Sequence, residues 1–117
     1  MKNVCECAQP DSCTLFRVAT ESDELEWTLE MSSGIRPMIF SSNPDGSTKS
    51  IFVQLSGFHG FAEVDFSSRK EVARIEHPAA EGQEAHYDGL QGAPAHGLGI
   101  SPDGKTLWST SKVYSTV

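Results

Sequence analysis

The amino-acid sequence predicts an all-β protein built from antiparallel sheets, on three observations. Apolar and polar residues alternate with period two in several short runs, recurring tight-turn signatures separate those runs, and helical periodicity is absent throughout. Strands need this alternation because successive side chains leave opposite faces of the pleat.

Leu25, Trp27, Leu29 and Met31 interleave with Glu24, Glu26, Thr28 and Glu30, which reads as a half-buried strand. From Arg36 onward the expected strands are Met38 to Ser41, Ser50 to Leu55, Phe61 to Phe66 and Val72 to Glu76. Asn43-Pro44-Asp45-Gly46 joins the first two: its proline presets φ and its glycine is free to take positive φ, as a hairpin tip requires. Ser56-Gly57-Phe58-His59-Gly60 and Ser67-Ser68-Arg69-Lys70 supply the next two turns. Four consecutive antiparallel strands make one sheet. After a long connection from His77 to Gly97 the order restarts, with strands expected at Leu98 to Ser101 and Thr106 to Thr110 around Ser101-Pro102-Asp103-Gly104, and an incomplete third strand at Val113 to Val117.

Superposing the two Pro-Asp-Gly turns exposes an internal repeat. Met38-Ile39-Phe40-Ser41 falls on Leu98-Gly99-Ile100-Ser101, and Ile51-Phe52-Val53-Gln54 falls on Leu107-Trp108-Ser109-Thr110. Asp45 and Asp103 stand further apart than the roughly 40 to 45 residues of a four-stranded repeat, and the excess is the long connection. Phe16 to Thr20 followed by Glu26 to Leu29 matches Val64 to Ser68 followed by Val72 to Ile75, as the outer half of a preceding unit.

Gly34-Ile35-Arg36-Pro37, an apolar strand, Ser-x-Pro-Asp-Gly, an aromatic-centred strand, Val64-Asp65 and Val72-x-x-Ile75 together resemble the YVTN family of β-propeller repeats. The resemblance runs from about Phe16 to Val117. Phe52-Val53-Gln54 and Trp108-Ser109-Thr110 replace the signature Tyr-Val-Thr-Asn, and the first thirteen residues fit poorly. The resemblance implies antiparallel four-stranded propeller blades: residues 16–31 the outer half of one, 36–76 a complete blade, 97–117 most of a third, preceded by an irregular segment at 1–15. Known rings close with about four to eight blades, so this amounts to an incomplete propeller, completed by further blades or by self-association through exposed edge strands. Exported proteins are frequent in the family, which implies a periplasmic or extracellular setting, although Met1 to Cys7 carries no apolar signal stretch.

Composition narrows the partners. The 117 residues carry a formal net charge of -7, and the scattered Lys and Arg argue against nucleic acid, whose phosphates need clustered cations. No apolar run reaches the roughly 20 residues of a membrane-spanning helix. Cys5, Cys7 and Cys13 form a C-x-C-x5-C cluster able to offer thiolates to zinc, but no fourth ligand follows at a suitable spacing. Free thiols or a single disulfide is the simpler reading.

Histidines carry the strongest chemical signal. His96 precedes a strand that the resemblance places along a central channel, and His59 lies in a connecting turn. Imidazole there would serve as a haem or metal ligand or as a base near neutrality, and the competing reading is a turn histidine bonded to loop carbonyls. His77, Glu81, Glu84, His86, Tyr87, Asp88 and His96 give the long connection a mixture of nitrogen and oxygen donors suited to a divalent cation. Connections this long are commonly functional. Ser41 and Ser101 are expected to cap backbone amides, and Trp27 and Trp108 to pack within the sheets. The leading expectation is a scaffold or binding module that takes a protein or small-molecule ligand on the 77–96 face, through His59, His86, Tyr87, Asp88 and His96. The alternative is part of an enzyme propeller, for haem or metal redox chemistry or lactone hydrolysis.

Overall fold

The computed structural model describes residues 2–9, 12–19, 21–85 and 92–117. Its nine strands fall into three sheets with no helix among the described residues. The chain divides into two compact units, Met1–Ile35 and Arg36–Val117.

The first unit is a three-stranded antiparallel meander of β1 (Lys2–Gln9), β2 (Ser12–Val18) and β3 (Leu25–Met31), in that order across the sheet. Cys13 faces Met31, Leu15 faces Leu29 and Arg17 faces Trp27 across β2 and β3. Alternation therefore gathers Cys13, Leu15, Trp27 and Met31 on one face, where all four are buried. Two expectations change here. Within the segment at 1–15, read as irregular, residues 2–9 and 12–15 are strand: the ladder from Lys2↔Val18 to Cys7↔Cys13 supplies the order that side-chain alternation in Met1 to Gln9 does not advertise. Leu25, read as an inward residue, is 60% exposed, because a register shift between Arg17 and Val18 breaks the alternation at that end of the ladder. Cys13 is disulfide-bonded.

The second unit holds a four-stranded sheet in the order β4 (Ile35–Ser42), β5 (Thr48–Leu55), β6 (Gly60–Asp65) and β7 (Lys70–Glu76), and a two-stranded sheet of β8 (Leu98–Ile100) and β9 (Leu107–Ser109). Ile51 faces Val64 and Val53 faces Ala62, and all four side chains are 0% exposed, forming the core with Leu55. Phe52 points to the opposite face and meets Phe61 edge-on at 6.1 Å. Gly60 is required by close approach: a Cβ there would lie 2.0 Å from the Ile75 carbonyl oxygen.

Both Pro-Asp-Gly sequences form hairpin tips of the same construction. Gly46 and Gly104 take positive φ, of 85° and 70°, and donate to the Asn43 and Ser101 carbonyls. Asp45 accepts from the Ser47 amide, and Asp103 from the Lys105 amide. Ser41 Oγ accepts from the Ser50 amide and Ser101 Oγ from the Thr106 amide, each linking the two arms of its hairpin. The tips flank a cavity of about 450 Å³ lined by Phe40, Pro44, Ile100 and Pro102 among others, so the two repeated hairpins stand side by side.

The expected third strand at Val113 to Val117 is a turn instead, closed by a single bridge between Ser111 and Thr116. Val113 is buried at 0% exposure beneath that turn, which explains the apolar signal without a strand. Trp108, expected to pack, is 58% exposed. Among the described residues β8 is the only strand paired with β9.

Candidate functional site

Hydrogen bonds from strand ends tie the four-stranded sheet to the β8–β9 hairpin. Gln54 sits within the apolar run of β5 and is 0% exposed, a placement a polar side chain tolerates only with its hydrogen bonds made. Its Oε1 accepts from the Gly97 amide at 2.6 Å, and its Nε2 donates to the Gly97 carbonyl and to Ser109 Oγ, each at 3.1 Å. Gly97 fits because it lies against Thr110, whose Oγ1 would be 2.7 Å from an added Cβ.

Two histidines converge on the same junction. His59, in the turn after β5, places Nε2 2.7 Å from Ser111 Oγ, and His77, just past β7, places Nε2 2.7 Å from Ser109 Oγ. Their rings meet edge-on at 4.9 Å, with Tyr114 5.6 Å from His59 and Phe61 6.2 Å from His77. Backbone pairing sets this arrangement: the His77 amide donates to the His59 carbonyl at 2.8 Å, extending the β6–β7 ladder by one step. Burial pushes the His77 imidazole below its ordinary pKa, and the neighbouring His59 adds to the effect. A neutral His77 retains a lone pair to accept from a serine hydroxyl, so the pair suits either a structural hydrogen bond or a base.

Beside these groups lies a cavity of about 430 Å³ whose walls include Phe61, His77, Leu107, Trp108, Ser109 and Ser111. It combines imidazole, hydroxyl and indole surface, which is the chemistry of a site for a partly polar, partly flat ligand.

The predicted site residues separate in space. His59 belongs to the junction, while His96 is exposed next to Gly97. His86, Tyr87 and Asp88 lie outside the described residues. Glu81 and Glu84 are exposed. The far end of the long connection is anchored where the sequence reading did not look: Ala93 and Ala95 are buried, Gly57 donates to the Gly92 carbonyl at 2.6 Å, and Lys112 to the Pro94 carbonyl at 2.9 Å. No group of three His, Cys, Asp or Glu side chains converges among the described residues.

Sequence reasoning missed Gln54, Ser109, Ser111 and Tyr114, and passed over His77 as one donor among many. Gln54 alone left a legible trace, a lone amide in the run Ile51-Phe52-Val53-Gln54-Leu55. No helix among the described residues is long and apolar enough to cross a membrane. No protein-family model, curated protein or solved structure matches the chain.

Proposed function

We propose that this chain is a segment of a β-propeller made from YVTN-type repeats, working as a scaffold and binding module. A partner or small ligand is taken at the junction of His59, His77, Ser109 and Ser111 together with the connection that follows β7. The single observation that carries the reading is the way one repeat docks on the next: Gln54, His59 and His77 of the four-stranded unit all end on Gly97, Ser109 or Ser111 of the following hairpin. The matched hairpin tips beside one another support it further. In this reading residues 36–76 form a blade and β8–β9 begin the next.

Binding is favoured over metal or haem chemistry because both junction histidines spend Nε2 on serine hydroxyls. The catalytic alternative, an enzyme propeller with histidine ligands or bases, draws its support from the His77–Ser109 pair at the cavity wall. Metal analysis and a visible absorption spectrum of the purified chain, combined with an NMR screen of small polar and aromatic ligands, test the proposal. The expected result is a colourless protein whose ligand-induced shifts cluster at His59, His77, Ser109 and Ser111. Stoichiometric haem or metal lost on His59→Ala, or shifts confined to residues 1–35, would overturn it.

A further inference from the structure

The hydrogen bonds of the junction select the charge state of its two histidines. Gln54 engages Gly97 on both sides, Oε1 accepting from the amide and Nε2 donating to the carbonyl, so the orientation of its amide group is settled. The other Nε2 hydrogen is donated to Ser109 Oγ at 3.1 Å. Ser109 keeps its own hydrogen to donate, and His77 Nε2 stands 2.7 Å away to accept it. Ser111 repeats the arrangement: its Oγ accepts from the Tyr114 amide at 3.1 Å and donates to His59 Nε2 at 2.7 Å. Each imidazole thus serves as an acceptor, a role open only to the neutral ring.

A proton on either Nε2 reverses its bond and deprives the serine hydrogen of that acceptor. A second proton meets a further obstacle, because the rings touch edge-on at 4.9 Å and like charges that close disfavour each other. The charged side chains on the surrounding elements are engaged with other partners or face water. Glu63 of β6 accepts from Ser50, Glu71 of β7 holds Arg74, which also lies over Phe58, and Arg36 of β4 donates to Ser56. Glu76, His96 and Lys112 are exposed, β9 carries no charge, and Tyr114 adds a phenol ring 5.6 Å from His59. Burial, with His59 contributing, already holds His77 below its ordinary pKa.

We infer that His59 and His77 form a proton-operated latch between the four-stranded sheet and the β8–β9 hairpin, closed while both rings are neutral and loosened when mild acid charges them both. The open junction binds more protons than the closed one. The latch is therefore at full strength above the ordinary imidazole value of about 6.5 and weakens as pH falls below it. Loosening is local, because the contacts given up are those to Ser109 and Ser111, while the β5–β6 ladder contains neither histidine. The latch would regulate the junction proposed above as a binding site. It rests only on contacts among residues 54–61, 76–77 and 97–114, and holds whether or not a ligand is taken there.

The test is NMR of the full chain between about pH 8 and about pH 5, the range that brackets imidazole titration, with no ligand added. Ring nitrogen shifts should show both Nε2 atoms unprotonated at the upper end, and the pair should take its two protons in steps at least about one pH unit apart. Across the same range amide protection at Gly97 and Tyr114 should fall by roughly tenfold, the scale of one hydrogen bond, while Ile51 and Val64 keep theirs. In His59→Gln, whose amide can still bond Ser111 without titrating, His77 should take its proton at higher pH than the second step of the pair, and the acid loss of protection should be smaller. A ring whose Nε2 carries the proton at the upper end, two rings that titrate together as independent groups, or protection lost equally in β5 and β6 overturns the inference. So does an acid loss unchanged in His59→Gln; the wild-type titration decides without the variant. Because no ligand enters this test, its failure is distinct from failure of the binding proposal, which the ligand screen decides.

Discussion

Replacing Gln54 with leucine tests the docking of the two sheets most directly. Leucine preserves most of the buried volume and removes all three hydrogen bonds of the amide. The Gly97 carbonyl keeps a donor in the Thr110 amide, but the Gly97 amide loses its 2.6 Å acceptor. One orphaned amide costs about 1–3 kcal/mol, equivalent to a roughly 5- to 150-fold change in a local equilibrium. Because the chain has two compact units, a global unfolding curve would blur this effect, and amide hydrogen exchange resolved by residue is the better assay. Protection at Trp108 and Thr110 should fall by that factor, while Ile51 and Val53 in the neighbouring sheet change less. Gln54→Glu should weaken the junction at neutral pH, where a carboxylate would face the Gly97 carbonyl, and recover toward low pH as a protonated acid donates again. Exchange at Thr110 that stays within twofold of the parent in Gln54→Leu would refute the claim that this side chain couples the sheets.

Three further outcomes follow from the same geometry. His77 is held below its ordinary pKa, so the unfolded chain takes up this proton first: the group's contribution to stability is complete above about pH 6.5 and is lost as pH falls below that value through the folded-state pKa. Chemical denaturation of wild type and His77→Phe between pH 7.5 and 5 should show the acid-side loss attenuated in the variant. Gly60→Ala drives a Cβ into the Ile75 carbonyl, so β6 and β7 must separate, at a cost of about 1–3 kcal/mol on the scale of overpacked sites; unchanged thermal stability would contradict the close approach. Gly46→Ala and Gly104→Ala meet no neighbouring atoms, so their cost should be conformational strain alone, about 1–2 kcal/mol each, measurable by calorimetry and similar at the two tips.

Sequence alone determined the elements whose causes are local. Alternation in Ile51 to Leu55 and Phe61 to Phe66 marked strands because the pleat has period two, and Pro44-Asp45-Gly46 and Pro102-Asp103-Gly104 marked hairpins because proline and glycine restrict or release φ within a few residues. The four-stranded order of β4 to β7 followed from short connections between consecutive strands. Only the tertiary structure decided what depends on neighbours distant in the chain. β1 emerged from its ladder with β2, and Val113 proved to fill a turn where alternation had suggested a strand. The junction unites Gln54, His59 and His77 with Gly97, Ser109 and Ser111, residues separated by tens of positions, and nothing in a serine's immediate sequence announces the imidazole that folding brings within 2.7 Å of it. Exposure of Trp108 had the same origin, since burial of a strand residue is set by the strands beside it, and among the described residues β9 pairs with β8 alone.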